Sequence, residues 1–331
     1  MKGRLATFFW LDLALLSLLI LASRAATAAH EVLGHAAFAL AAGGRVEAIR
    51  ISLLGGGRVE AAGPEEGSLA HLAYAFSGIA VNLALGLAAA WGAGKCLEAR
   101  KGNLAAFLAL FAMAGVCGGL AYLVLGAYYR FGDPAAWADS GLAAPWLVWA
   151  VGLGALFPAA WWVSRPWMRY QQAVAPASRL RGKTAVAAAS LGVACAAYAG
   201  LYLALDQSLV PARAPRAAYE RAVQKAAEQK RARLARALRE EHPQWSEEKL
   251  RHELENISIH VSGDEVDMPP PLTPVVALLL AAGFLAAEAF SPKESPPGPP
   301  PPGKWEALSF SALAALVLSL LAAVGSVVYR G

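Results

Sequence analysis

The sequence predicts an all-α polytopic membrane protein. About seven transmembrane helices are expected, with a small β-hairpin after the first and a basic helical soluble segment. Three observations lead there. Of 331 residues, 57% are hydrophobic and only 16% charged, against roughly 25% charge in an ordinary soluble domain. Apolar runs of about 20 residues, enough to cross a bilayer as helices, recur along the chain. One glycine-punctuated stretch of β-branched residues near the start breaks the helical pattern.

The first run, "LATFFWLDLALLSLLILAS" at 5–23, continues through Arg24 and meets no proline or glycine before Gly34. A single long helix, or one with a bend near Ser23–Arg24, is the expectation. "GGRVEAIRISLLGGGRVEAAG", 43–63, reads as the hairpin. Such backbone lies at membrane depth only where protein or a wet cavity satisfies its polar groups. Crossings then follow at 69–94, 103–129, 142–164 and 184–205, with a polar turn, "RFGDPAAWADSG", at 130–141. Two more, 272–290 and 305–329, flank the polyproline linker "SPKESPPGPPPPGK".

Residues 206–271 form the sizeable soluble piece, and their basic stretch 213–239 is rich in alanine, lysine and arginine. A helix of this composition beside a bilayer attracts anionic lipid headgroups. The net charge of +5 is concentrated there and in short loops. It therefore speaks to membrane orientation, and nucleic acid is not an expected partner. Lys2, Arg4 and the basic loops at 95–101 and 165–183 belong on the cytoplasmic side by the positive-inside rule. The expected location is multi-pass and integral, in a bacterial inner membrane. Cys96, Cys117 and Cys195 have no paired spacing, so neither a disulfide framework nor a cysteine metal site is expected.

"RAATAAHEVLGHAAFALAAGG", 24–44, places His30, Glu31 and His35 in an otherwise apolar segment. Ionisable residues at membrane depth are costly and usually mark function. Zinc takes neutral imidazole nitrogens, and a catalytic site uses three protein ligands. Two histidines four apart on a helix differ by about 40° around the axis; five apart, they differ by about 140° and cannot share an ion. A π-bulge absorbs the extra residue and returns both to one face, and Gly34 eases the distortion. Glu31 is then the natural general base.

The third ligand is expected at Asp133 in "FGDPAAWAD", with Asp139 the fallback and His71 a distant one. Gly-Asp-Pro is also ordinary turn chemistry. Asn82 lies in the apolar "FSGIAVNLALG", where it either bonds between helices or holds a substrate backbone.

Taken in order, "HEVLGH", "RVEAIRISLLGGGRVE", "SGIAVN" and "GDPAAW" over 30–137 resemble the site-2 protease family of intramembrane zinc metalloproteases. The resemblance implies Zn2+ held by His30, His35 and Asp133, with Glu31 catalytic and Asn82 substrate-binding. The implied substrate is a membrane-embedded or juxtamembrane protein. The six-residue motif departs from the family's five and is similar in spacing to that of the dipeptidyl-peptidase III family. Ile79 stands where proline is usual.

The organisation expected on this reading is 1–141 as a three-helix metalloprotease-like core with the β insertion, and 142–205 as two further crossings. Residues 206–271 follow as the basic segment and 272–331 as the two C-terminal crossings. The rival classes are a cation-binding transporter or scaffold and a degenerate protease homologue. A transporter needs further intramembrane carboxylates along a path, and Asp12 and Glu288 are the main candidates.

Overall fold

The structure, a computed structural model, describes residues 2–52, 56–62, 64, 68–140, 145–174, 210–257, 272–290 and 304–324. They are mostly helical and fall into two compact units, one within 1–210 and 272–331, the other within 211–271. In the first unit, α1 (Lys2–Ala28) runs without a break into a π-helical turn, Ala29–Ala36, and then α2 (Ala37–Ala41). Next come β1 (Arg45–Ile51) and β2 (Gly57–Ala62), paired antiparallel from Arg45↔Ala62 to Ile51↔Gly57 with an irregularity between Val46 and Ala48. Alternation along β1 turns Val46 inward, where it packs on Ala36 and Ala39 of the first helical stretch.

Helix α3 (Leu69–Glu98) starts at Ser68, whose hydroxyl accepts the His71 N–H at 3.1 Å. After α4 (Gly102–Ala112), a second π-helical turn (Met113–Cys117) leads into α5 (Gly118–Tyr129). Ala105, Ala106, Ala109 and Ala112 are fully buried. These small side chains let the helices approach closely. A short α6 (Asp133–Asp139) precedes α7 (Pro145–Val174), and α10 (Thr273–Ala289) and α11 (Lys304–Val324) complete the unit. Leu11, Leu15 and Leu18 of α1, Leu110 of α4 and Trp167 of α7 form the centre of the core. Ser17 and Ser311 hydroxyls, 3.0 Å apart, tie α1 to α11.

Among the described residues, four stretches are long and apolar enough to cross a membrane: Phe9–Ala41, Leu69–Glu98, Gly102–Tyr129 and Trp146–Gln171. These coincide with the first four runs expected from the sequence. The fifth, 184–205, lies outside the described residues. The run at 272–290 holds the 17-residue α10, and that at 305–329 holds all but the first residue of the 21-residue α11, with 325–329 outside the described residues. The second unit holds α8 (Val210–Glu241) and α9 (Glu247–Asn256), so the basic stretch is helical. The Ser246 hydroxyl caps α9 by accepting the Lys249 N–H at 3.2 Å.

Candidate metal centre

The π-helical turn coincides with the histidine motif. His30, Glu31 and His35 are all buried, while Val32 and Leu33 between them are turned outward and exposed. One extra residue in the turn brings both imidazoles to the inner face, where His30 Nε2 and His35 Nε2 lie 3.1 Å apart. Gly34 contributes by clearance. Its backbone crosses Gly78 of α3 so closely that a Cβ on it would overlap the Gly78 Cα. Gly78 in turn lies under the His30 ring, with which any side chain there would collide.

Asp133 arrives from the other side. Helix α5 ends at Arg130 in the left-handed region (φ 51°), Gly132 adopts φ 61°, and Pro134 follows Asp133 in the first turn of α6. The chain thereby reverses and sets Asp133 Oδ2 3.3 Å from His30 Nε2 and 3.1 Å from His35 Nε2. Three contacts fix this corner. The Tyr122 hydroxyl accepts the Asp133 N–H at 3.0 Å and donates to its Oδ2 at 3.2 Å. Trp137 Nε1–H donates to the Leu72 carbonyl at 2.8 Å. The Pro134 ring is buried against Gly126. Burial alone would push the Asp133 carboxyl up, but hydrogen bonds and charge interactions with the two histidines outweigh it and hold it below the usual carboxylate range.

The second nitrogens of the rings decide what the cluster presents. The Tyr74 carbonyl, an acceptor only, lies 2.9 Å from His35 Nδ1. Neutral His35 therefore carries its proton on Nδ1 and points the Nε2 lone pair inward. The Asn82 side-chain amide lies 3.3 Å from His30 Nδ1. Its other polar atom, set as Oδ1, is buried with no partner among the described residues. With the amide turned, Oδ1 accepts from His30 Nδ1–H and the amide nitrogen takes the position that has no partner among the described residues. This also frees the Nε2 lone pair of His30. Two imidazole lone pairs and a carboxylate oxygen then converge on one point, an arrangement that a cation relieves. Among the described residues this is the group of histidines, cysteines and carboxylates able to hold a metal ion.

Glu31 is buried beside the cluster and interacts electrostatically with His30, His35 and Asp133. Its carboxyl packs on the backbone of Gly57 in β2, where a Cβ would strike it. The structure thus gathers His30, His35 and Asp133, with Glu31 adjacent. Asn82 contacts a histidine from behind. The Asp139 side chain lies outside the described residues, and the His71 ring sits 6.4 Å from that of Tyr74 without joining the group.

Sequence reasoning missed Tyr122, the Tyr74 carbonyl, Gly78 and Gly57. Gly78 had a signal, because it stands one helical turn before Asn82 and shares its face. A comparison with family models, with characterised proteins and with solved structures finds nothing that matches this chain.

Proposed function

We propose that the chain is an intramembrane zinc endopeptidase, hydrolysing peptide bonds of membrane-embedded or juxtamembrane proteins. The observation that carries this reading is the convergence of three metal-ligand atoms beside a buried glutamate within membrane-length helices. Tetrahedral zinc with bonds of about 2.0–2.1 Å holds its ligand atoms about 3.3 Å apart. The three donor atoms here are separated by 3.1 to 3.3 Å. His30, His35 and Asp133 would hold the ion, and three protein ligands leave a fourth position open. When bound, zinc supplies Lewis acidity toward water and a carbonyl oxygen.

The remaining chemistry falls to the chain's own residues. Glu31 takes a proton from the attacking water as the water oxygen bonds to the carbonyl carbon. It then delivers that proton to the amide nitrogen as the C–N bond breaks. Asn82 and the Tyr74 carbonyl hold the two imidazoles in the ligating tautomer. The Asp133 side chain keeps 27% exposure, so the cluster is reachable from outside the helices. An extended substrate has a template in the hairpin, whose outer edges carry no further strand among the described residues. The basic stretch 213–239 is assigned to anionic lipid headgroups.

The test uses zinc-loaded protein in detergent against a panel of single-span membrane proteins. The parent cleaves at least one. Glu31→Gln, which keeps the shape but cannot accept the proton, binds zinc equally and does not cleave. Unchanged cleavage by Glu31→Gln overturns the assignment of the base.

A further inference from the structure

A cationic cleft lies at the far end of α3 from the histidine cluster. Gly78 and Lys95 are seventeen residues apart on α3, which separates the site from the His30 ring by about 25 Å along the axis. Here the C-terminal ends of α3 and α7 enclose a cleft of about 290 Å³. Its walls carry three cations, Lys95, Arg165 and Arg169, and one carboxylate, Glu98. Glu98 accepts from Lys95 at 3.0 Å, so the charges of both arginines exceed what the cleft itself neutralises. The Arg165 guanidinium stacks over Trp161 at 3.9 Å, which holds its planar fork in place.

The residues recur on one face of each helix, 91, 95 and 98 on α3 and 162, 165 and 169 on α7. Small residues make the hollow: Ala90 and Gly94 line it, and a Cβ at Gly94 would meet nothing within 4 Å. Trp91 and Trp162 flank the opening and are exposed. Leu87, one turn before Trp91, extends an exposed apolar track along α3 toward the bilayer. Tryptophans mark the membrane–water interface, and arginine forks match phosphate oxygens.

We propose that this cleft binds the phosphate headgroup of an anionic membrane phospholipid, whose acyl chains lie along the Leu87–Trp91 track. Basic pockets between transmembrane helices take such headgroups. Arg100 and Lys101 follow α3 at the same end, where the positive-inside rule expects the anionic leaflet. A free phosphate has no use for the aromatic rim or the apolar track, so the lipid is the occupant assigned. The proposal stands apart from the metal centre and does not depend on its chemistry.

Native mass spectrometry on the delipidated full chain tests this, with phosphatidylglycerol, phosphatidylcholine and inorganic phosphate as probes. Phosphatidylglycerol should bind about tenfold more tightly than phosphatidylcholine, and the double variant Arg165→Gln with Arg169→Gln should lose that preference. Glu98→Gln removes the carboxylate that occupies Lys95 and should tighten phosphatidylglycerol binding by several-fold, a gain that misfolding cannot mimic. Inorganic phosphate at equal concentration should not compete. Equal binding of the two lipids, an unaltered double variant, no gain in Glu98→Gln, or competition by phosphate would each overturn the proposal.

Discussion

Replacing Gly78 by alanine tests the crossing on which the proposed metal centre is built. An added Cβ would stand 2.5 to 2.7 Å from Nε2, Cε1 and Cδ2 of His30. Unstrained contacts between such atoms are about 3.5–4.0 Å. The ring or the helix must therefore retreat by about 1 Å, several times the roughly 0.2 Å tolerance of a metal–ligand distance. His30 is then lost or weakened as a ligand, and zinc affinity should fall by at least the 10- to 100-fold typical of misplaced supporting residues. The assay is chelator competition on detergent-purified protein, with near-ultraviolet circular dichroism to confirm the fold. Gly92→Ala on the same helix is the control, because its Cβ would meet only Leu108 Cδ1 at an ordinary 3.5 Å. Gly78→Ala binding zinc as tightly as the parent would refute the reasoning.

Two further outcomes follow from the motif and its support. Removing the outward-facing Leu33 should relax the π-helical turn to a regular helix with the histidines four apart, about 40° around the axis. Zinc binding then survives within a few-fold, and its loss would show that the π turn is not what gathers the histidines. Asn82→Ala should weaken zinc by about 10- to 100-fold by leaving His30 Nδ1–H without its acceptor. Asn82→Asp keeps an oxygen there and should restore most of the affinity; equal behaviour of the two variants would exclude the positioning role.

Much of the centre was legible in the sequence because its parts are short-range. The five-residue histidine spacing demands a π turn if both rings are to meet, and that turn is present at Ala29–Ala36. Gly132–Asp133–Pro134 reads as a turn, and the turn is what delivers the carboxylate. The hairpin was legible from β-branched residues between glycines. Gly34 serves as steric clearance against Gly78 rather than as a source of backbone freedom. The supporting contacts were not legible, since they join residues far apart in the chain. Tyr122 meets Asp133 across a reversal, and the Tyr74 carbonyl reaches back 39 residues to His35. A backbone carbonyl carries no mark in a sequence. Among the described residues, the first four apolar runs form helices of membrane-spanning length and apolarity, and the run at 272–290 forms a helix of 17 residues.

The most direct measurement is zinc content per chain in the purified parent beside His35→Ala and Asp133→Ala. About one zinc per chain in the parent, lost or greatly weakened in both variants, is the expected result. A well-folded parent that takes up no zinc, or variants that retain it fully, would contradict the metal centre and the enzyme reading built on it.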